Sequence, residues 1–320
     1  MDLAVIGVGE IAQKAYLPLL KTMEDVQIVS VMSRTLDSVE RTKTRWQIPT
    51  GFTQLKDVIE SRPDACLVLV ATIAHYQVAH ELLENGIDVY LEKPASVNSW
   101  EIKSLAKLAE KNGRILMVGY NRRYADFYVQ ARSLINTSEI QQIVLEKHRR
   151  NASHSSLFSQ FLDDTIHVID LLRSFDPNPV PLHTVINMAD GRLRSAVSLL
   201  RLSSGGIATI HTCLDSGAWQ EKVSIYGSKK TIIVNAFRDL TYINEEGIKV
   251  FGPERPSKWK SELAERGFDT EVRHFLDCVR TRSTPITDGF DAYKTQLLVE
   301  QMTQLAGESL EYNEIIHDSK

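Results

Sequence analysis

Cysteine is scarce in this 320-residue chain. The three present, Cys66, Cys213 and Cys278, are odd in number, far apart and never in a Cys-x-x-Cys pair. That disfavours a disulfide framework and a cysteine-ligated zinc site, and it fits a reducing compartment. An excess of one charge is also missing. Lys and Arg total 37 against 41 Asp and Glu, a formal net charge of −4, which argues against wholesale nucleic-acid binding through a basic face. Long apolar runs are absent: the longest, residues 65–71 extended through 74, is about half of what a bilayer span requires. Met1-Asp2-Leu3-Ala4-Val5-Ile6 has no basic segment ahead of its apolar run and reads as a strand, not an export signal. The expected location is the cytoplasm. The nine histidines show no H-E-x-x-H or other paired spacing, so no metal is expected. Neither G-x-S-x-G nor a Cys–His signature points to hydrolysis.

What is there is a globular composition, 43% hydrophobic and 24% charged, enough to bury a sizeable core. Domains of roughly 100–200 residues make two domains the first expectation. Up to residue 119 short apolar strands alternate with amphipathic helices. Strands are expected at 3–6, 26–32, 65–70, 87–91 and 115–118, and helices at 11–22, 76–85 and 99–111. Such alternation predicts βαβ units and a parallel sheet. Near Gly119-Tyr120 the pattern changes. Longer strands dominate (QQIVLEKHR, HTVINMA, SAVSLLRL, GIATIHTCL, KVSIYG, TIIVNAF, LTYIN), joined in part by hairpin signals at Ser203-Ser204-Gly205-Gly206 and Gly227-Ser228-Lys229. One helix, 161–175, interrupts them, and helices near 270–281 and 292–306 close the chain. The expectation is α/β: an N-terminal Rossmann dinucleotide-binding domain over 1–119, then a C-terminal α+β domain over 120–320 built on a large, mostly antiparallel sheet.

Gly7-Val8-Gly9-Glu10-Ile11-Ala12 is G-x-G-x-x-A between the first strand and the first helix. The first glycine permits a tight turn and the second lets backbone approach a pyrophosphate. The small third residue lets helix and strand pack closely, and the helix N-terminus attracts the phosphates. Gly7, Gly9, Glu10, Ile11 and Ala12 are therefore candidate cofactor contacts. After the second strand an NAD site expects an acid for the ribose hydroxyls. This chain has Ser33-Arg34-Thr35, a hydroxyl and a guanidinium suited to a 2′-phosphate, so NADP is preferred, with NAD possible.

IGVGEIAQ, the SRT after strand two, LEKPAS, GYNRRY at 119–124, the Asp163–His167 helix and the HFLDCVR…DGFDAYKT stretch occur in a characteristic order. In these motifs the chain resembles the Gfo/Idh/MocA family of oxidoreductases over almost its whole length. KPAS, GYNRRY, EKHR and FLDDTIHVID look nearest to the bacterial MviM-like branch. The resemblance implies that Lys93 of Glu92-Lys93-Pro94 reaches both nicotinamide and substrate, often beside a cis Lys–Pro bond, and that Asp163 and His167 form the family's Asp-x-x-x-His motif. It implies that Ala71, Thr72 and His75 lie on the loop passing the nicotinamide ribose, and that Asn121 and Arg122 lie near the nicotinamide end. Three departures concern the substrate pocket: Ile73 where many members have proline, Ser159-Gln160-Phe161-Leu162 where a glycine pair is usual, and the doubled acid Asp163-Asp164.

Read on its own, the helix places Asp163, His167 and Asp170 at i, i+4 and i+7, one polar stripe on an apolar helix. In the implied chemistry an alcohol carbon gives hydride to the nicotinamide while its hydroxyl loses a proton. Lys93 would bond the reacting oxygen, His167 would accept or relay the proton, and Asp163 would fix its tautomer or grip a hydroxyl. The residues leave open whether Lys93 or His167 is the acceptor. The expected substrate is a sugar, cyclitol or related polyol. Alternatives are a catalytically silent NADP-binding regulator and a reductase of a non-sugar carbonyl. Lys147 and Arg149 should face one side of their strand and His148 and Arg150 the other, either toward substrate or as a solvated strand end. Too few helices remain to cover both faces of the second sheet, so a homodimer or homotetramer is expected.

Overall fold

β1 (Asp2–Ile6), β2 (Gln27–Met32), β3 (Thr50–Phe52), β4 (Ala65–Val68), β5 (Asp88–Glu92) and β6 (Leu116–Gly119) form one sheet, ordered β3-β2-β1-β4-β5-β6 and parallel at every pairing. The computed structural model that carries this sheet describes residues 1–150, 152, 154–252 and 261–312. β1, β4 and β5 are buried almost end to end, as a parallel sheet covered on both faces requires. This strand order is the Rossmann one, with its reversal between β1 and β4.

The sheet belongs to a compact unit made of Met1–Tyr120 and a returning segment, Phe268–Lys294. In the helix Phe268–Thr281, Val272, Phe275, Leu276 and Cys278 are buried. The segment also covers β6: Val118 N donates to Thr287 O at 2.9 Å, Thr287 Oγ1 to Val118 O at 2.7 Å, and Met117 bridges Asp288 antiparallel. An edge strand is thereby masked from stray pairing. Arg282 grips Asp88 with two bonds of 2.5 and 3.0 Å.

The second unit is Asn121–Gly267 with Thr295–Lys320. Its sheet runs β14 (Gly247–Phe251), β13 (Asp239–Asn244), β12 (Lys230–Asn235), β11 (Gln220–Gly227), β7 (Gln142–His148), β10 (Ile207–Cys213), β9 (Arg192–Arg201), β8 (Val180–Ala189). Every pair is antiparallel except β7–β10. The mostly antiparallel sheet expected from sequence is thus present. Ser228 and Lys229, both left-handed at φ 48° and 59°, turn β11 into β12 at the foreseen hairpin.

One face of this sheet is buried, by Ile143, Leu145 and Lys147 of β7, Ala208 and Ile210 of β10, and Val223 and Ile225 of β11. Helix Asp126–Leu134 packs on β12 and β13, and helix Ile166–Phe175 on β7. On the opposite face the register lines up Val185, Val197, His211, Glu146 and Lys222 across five strands. Val185 and Val197 there are 57% and 39% exposed.

Several elements were not foreseen: helices Leu36–Trp46, Leu55–Glu60 and Asp126–Leu134, and strands β3 and β14. Two expected α-helical stretches contain π-helical turns, Ala12–Tyr16 and Phe161–Thr165. Among the described residues, no helix is long and apolar enough to cross a membrane.

Candidate active site

The turn after β1 has the geometry the glycine pattern asks for. Gly7 has φ +94°, and a Cβ on it would sit 2.5 Å from the carbonyl carbon and oxygen of Leu69, so any side chain would collide with the β4 backbone. Gly9 is the opposite case: nothing lies within 4 Å of where its Cβ would be. That clear space lies at the first turn of a helix, where amides have no intrahelical acceptor and a pyrophosphate is favoured. Ala12 is fully buried, as the close helix–strand contact needs. Glu10 is exposed and pairs with Lys14 four residues on; Ile11 precedes the π turn. The residues therefore fit a dinucleotide.

At the end of β2, Ser33 is half-buried and Arg34 is exposed. Arg34 makes no ion pair among the described residues. Thr35 caps the helix Leu36–Trp46, its Oγ1 accepting from Ser38 N at 3.4 Å.

β5 ends at Glu92, and Lys93 follows, half-buried, with a cis peptide to Pro94. Two groups hold this turn from behind. His75 is fully buried, with Nδ1 2.8 Å from Pro94 O and Nε2 3.0 Å from Val70 O. Burial pushes its imidazole down to about 4, so at neutral pH the ring is uncharged and donates one N–H. Ala71 is exposed and N-caps the helix Thr72–Glu84, with Thr72 half-buried at its start. The neutral ring thus sits between the Lys93 turn and the loop after β4, and its one N–H bonds one of the two carbonyls. Glu92 is 9% exposed and accepts the phenolic proton of Tyr16, whose hydroxyl lies 2.8 Å from that of Tyr90. Burial, then the charges of Glu92 and Glu271, hold the Tyr16 phenol well above its usual value, so it stays a neutral donor.

In the second unit Asn121 and Arg122 are 2% and 6% exposed. Asn121 donates to Arg266 O at 2.9 Å. Arg122 forms a two-pronged pair with Glu221 at 3.2 and 3.1 Å. Glu221 also takes Lys147 and, at 2.9 Å, the Tyr128 hydroxyl. The alternation read along 147–150 is present at Lys147, but that lysine is not a solvated strand end: it is fully buried.

The doubled acid divides its work. Asp164 takes Arg149 through two bonds and lies 3.6 Å from Lys147. Asp163, on the same π turn, accepts the Tyr312 hydroxyl at 2.9 Å on Oδ1, with Oδ2 3.9 Å from His154 Nδ1. His167, half-buried, follows one turn later. Asp170 is committed elsewhere, to Arg123 at 2.7 and 2.6 Å and to Thr295 at 2.9 Å. The polar stripe therefore has two separate jobs. Tyr312 was not singled out from sequence; it lies 149 residues from Asp163, and no local pattern links them.

A cavity of about 970 Å³ opens on this unit, lined by residues 218–221, 235–239, 262, 265 and 266. Trp219 and Phe237 stack in its wall, centroids 6.3 Å apart and planes 16° apart. Lys147 lies 5.4 Å from the Trp219 ring, and Arg122 and Arg266 lie 5.3 and 5.0 Å from that of Phe237. Aromatic faces edged by polar groups suit a ligand with both apolar and hydroxyl surfaces.

The chain is similar to known proteins in sequence and fold. Residues 1–120 match the sequence model of the GFO_IDH_MocA family, described as an oxidoreductase family with an NAD-binding Rossmann fold. The chain is 30% identical over 318 residues to YceM, a candidate oxidoreductase of Salmonella typhimurium, covering 94% of this chain and 97% of that one. It is 24% identical to myo-inositol 2-dehydrogenase of Thermotoga maritima, over 93% and 94% of the two chains. The crystal structure of the dehydrogenase MviM from Clostridium difficile superimposes with a TM-score of 0.87 at 26% identity, over 95% of this chain and 99% of that one. Glycine turn, Rossmann strand order, antiparallel second sheet and near full-length likeness agree: the chain belongs to the Gfo/Idh/MocA family of oxidoreductases, in its MviM-like branch.

Proposed function

We propose that the protein is an NADP-preferring oxidoreductase that moves a hydride between the nicotinamide and a hydroxyl- or carbonyl-bearing carbon of a sugar, cyclitol or related polyol. The observation that carries this reading is the Lys93 turn, a half-buried ammonium at the carboxyl end of a Rossmann strand, packed on His75. The carboxyl ends of such strands face the ligand crevice. The dinucleotide, when bound, supplies the redox chemistry. Lys93 bonds the reacting oxygen and stabilises developing alkoxide. His167 takes or relays the hydroxyl proton, and Asp163 holds the imidazole in the tautomer that can. The resemblance to myo-inositol 2-dehydrogenase supports a polyhydroxylated substrate, as do the aromatic and polar walls of the Trp219–Phe237 cavity. The test is formation of reduced nicotinamide from NADP⁺ against a panel of cyclitols and sugars. Tight dinucleotide binding with no turnover on any of them, or on carbonyl compounds in reverse, would turn the reading toward a silent regulator.

The exposed Arg34 guanidinium, unpaired among the described residues, supports the cofactor preference, because a 2′-phosphate needs a cation there and a carboxylate would repel it. Arg34→Asp is expected to weaken NADP binding by roughly ten- to a hundredfold, the loss of one charge-assisted contact plus repulsion, while NAD binding changes little or improves. Calorimetric titration of both dinucleotides measures this; equal losses for the two would refute the assignment.

We also infer self-association through the open face of the second sheet, where Val185 and Val197 lie exposed side by side. Val197→Glu should shift the protein toward monomer by light scattering, and a wild-type monomer at micromolar concentration would end the inference. With its three cysteines free, we place the protein in the cytoplasm.

A further inference from the structure

The segment after the last helix, Gly289–Leu305, brings Tyr312 to Asp163, the acid assigned above to the proton site. We propose that Tyr312 is a positioning residue for the proton-handling pair: its phenolic O–H, donated to Asp163 Oδ1, fixes the carboxylate that serves His167. This rests on the reading of Asp163 and His167 as that pair.

The chemistry of the two neighbouring acids carries the inference. Asp164 is clamped by the Arg149 guanidinium and lies beside the Lys147 ammonium. Those cations neutralise it, and an acid so neutralised is a poor partner for an imidazole that must gain a proton. Asp163 sits one residue away, yet its Oδ1 receives a neutral donor. Unlike a guanidinium, a phenol orients a carboxylate without cancelling its charge, which suits an acid that serves an imidazolium. Oδ2 lies 3.9 Å from His154 Nδ1, beyond hydrogen-bond distance. The π turn Phe161–Thr165 sets Asp163 and Asp164 toward these different partners, and π turns recur at functional sites. Among the described residues, the groups around Asp163 that titrate or carry charge include Tyr312 from the segment after helix Gly289–Leu305, His154 from the loop after β7, and Asp164 and His167 on its own helix, with Lys147 and Arg149 behind Asp164.

Tyr312→Phe in the full-length protein keeps the ring and removes the hydrogen bond. A hydrogen bond to the charged form lowers a carboxylate's pKa, so its loss raises it. The expected result is kcat lower by about tenfold, the effect of one such bond, with dinucleotide affinity unchanged. The acid limb of the kcat/KM profile should move to higher pH. Combined with Asp163→Asn, Tyr312→Phe should cost nothing further, since the bond acts only through that carboxylate. A wild-type acid limb in Tyr312→Phe, or losses that multiply in the double variant, would overturn the proposal. The two readings fail separately: full turnover in Asp163→Asn removes the proton-site assignment, whereas an inactive Asp163→Asn beside an unaffected Tyr312→Phe removes only the role of Tyr312.

Discussion

Lys93→Ala is expected to bind dinucleotide as the parent does, within a factor of about two, and to turn over roughly 10²–10⁴ times more slowly, the range for a lost proton-transfer or charge-stabilising group. The expectation separates two parts of one unit. In the proposed reading, dinucleotide binding relies on the Gly7–Gly9 turn, where nothing lies within 4 Å of a Cβ on Gly9, and on the helix start behind it. In that reading chemistry relies on the Lys93 side chain, which follows β5, two β-strands from β1 in the sheet order. The backbone carrying Lys93 packs on His75, whose buried ring lies 2.8 Å from Pro94 O and 3.0 Å from Val70 O and donates to one of them. Truncating the lysine leaves that packing in place, so the turn should persist and the loss should be chemical. Equilibrium dinucleotide binding and single-turnover hydride transfer read the two parts independently. Unchanged hydride transfer would retire the proposed mechanism, and joint loss of binding and turnover would show that the lysine holds the cofactor.

The legibility of this site in the sequence follows the range of its interactions. The glycine turn is local: three small residues between a strand and a helix, with Gly7 confirmed by a backbone approach that admits no Cβ. The helices Leu36–Trp46 and Leu55–Glu60 were missed because each buries so little, Val39 and Thr42 in one and Val58 in the other. Their apolar stripe is too thin to show as a period. β14 is mostly exposed, so nothing in its residues separates strand from loop. Pairings between distant residues leave no local trace. Glu221 lies just ahead of the strand expected at KVSIYG; only the register that sets it opposite Lys147 shows the pair to be internal. Tyr312 at Asp163 and Thr287 at Val118 are of the same kind, contacts created by where the chain returns. The π turns are silent for another reason: one extra residue per turn leaves the apolar content of a helix unchanged.

Glu221→Gln is expected to destabilise the second unit by about 3–5 kcal/mol, the cost of leaving buried cations without their counter-charge. Glu221 has no exposed side-chain surface and faces two cations, Arg122 and Lys147, whose side chains are 8% and 0% exposed. Burial alone would raise its pKa; Arg122 and Lys147 outweigh that and hold it far below the ordinary value. Lys147 moves the other way to its usual basicity, since burial lowers its pKa more than Glu221 restores it. The acid is therefore the keystone, with two cations depending on it while it depends on neither alone. The ranking follows: Glu221→Gln should cost more than Lys147→Met, because the second variant leaves the two-pronged Arg122 pair intact and fills the site with an apolar chain of similar length. Because its folded-state pKa is depressed, the Glu221 contribution is in force above the ordinary value of 4.5. It drains away below that, as acid protonates the unfolded chain while the folded carboxylate stays charged. Urea unfolding of the three proteins at neutral pH, repeated near pH 4, measures both effects. The gap between parent and Glu221→Gln should narrow in acid, and a gap that stays constant, or a Lys147→Met variant as weak as Glu221→Gln, would contradict the central place of Glu221 among these buried charges.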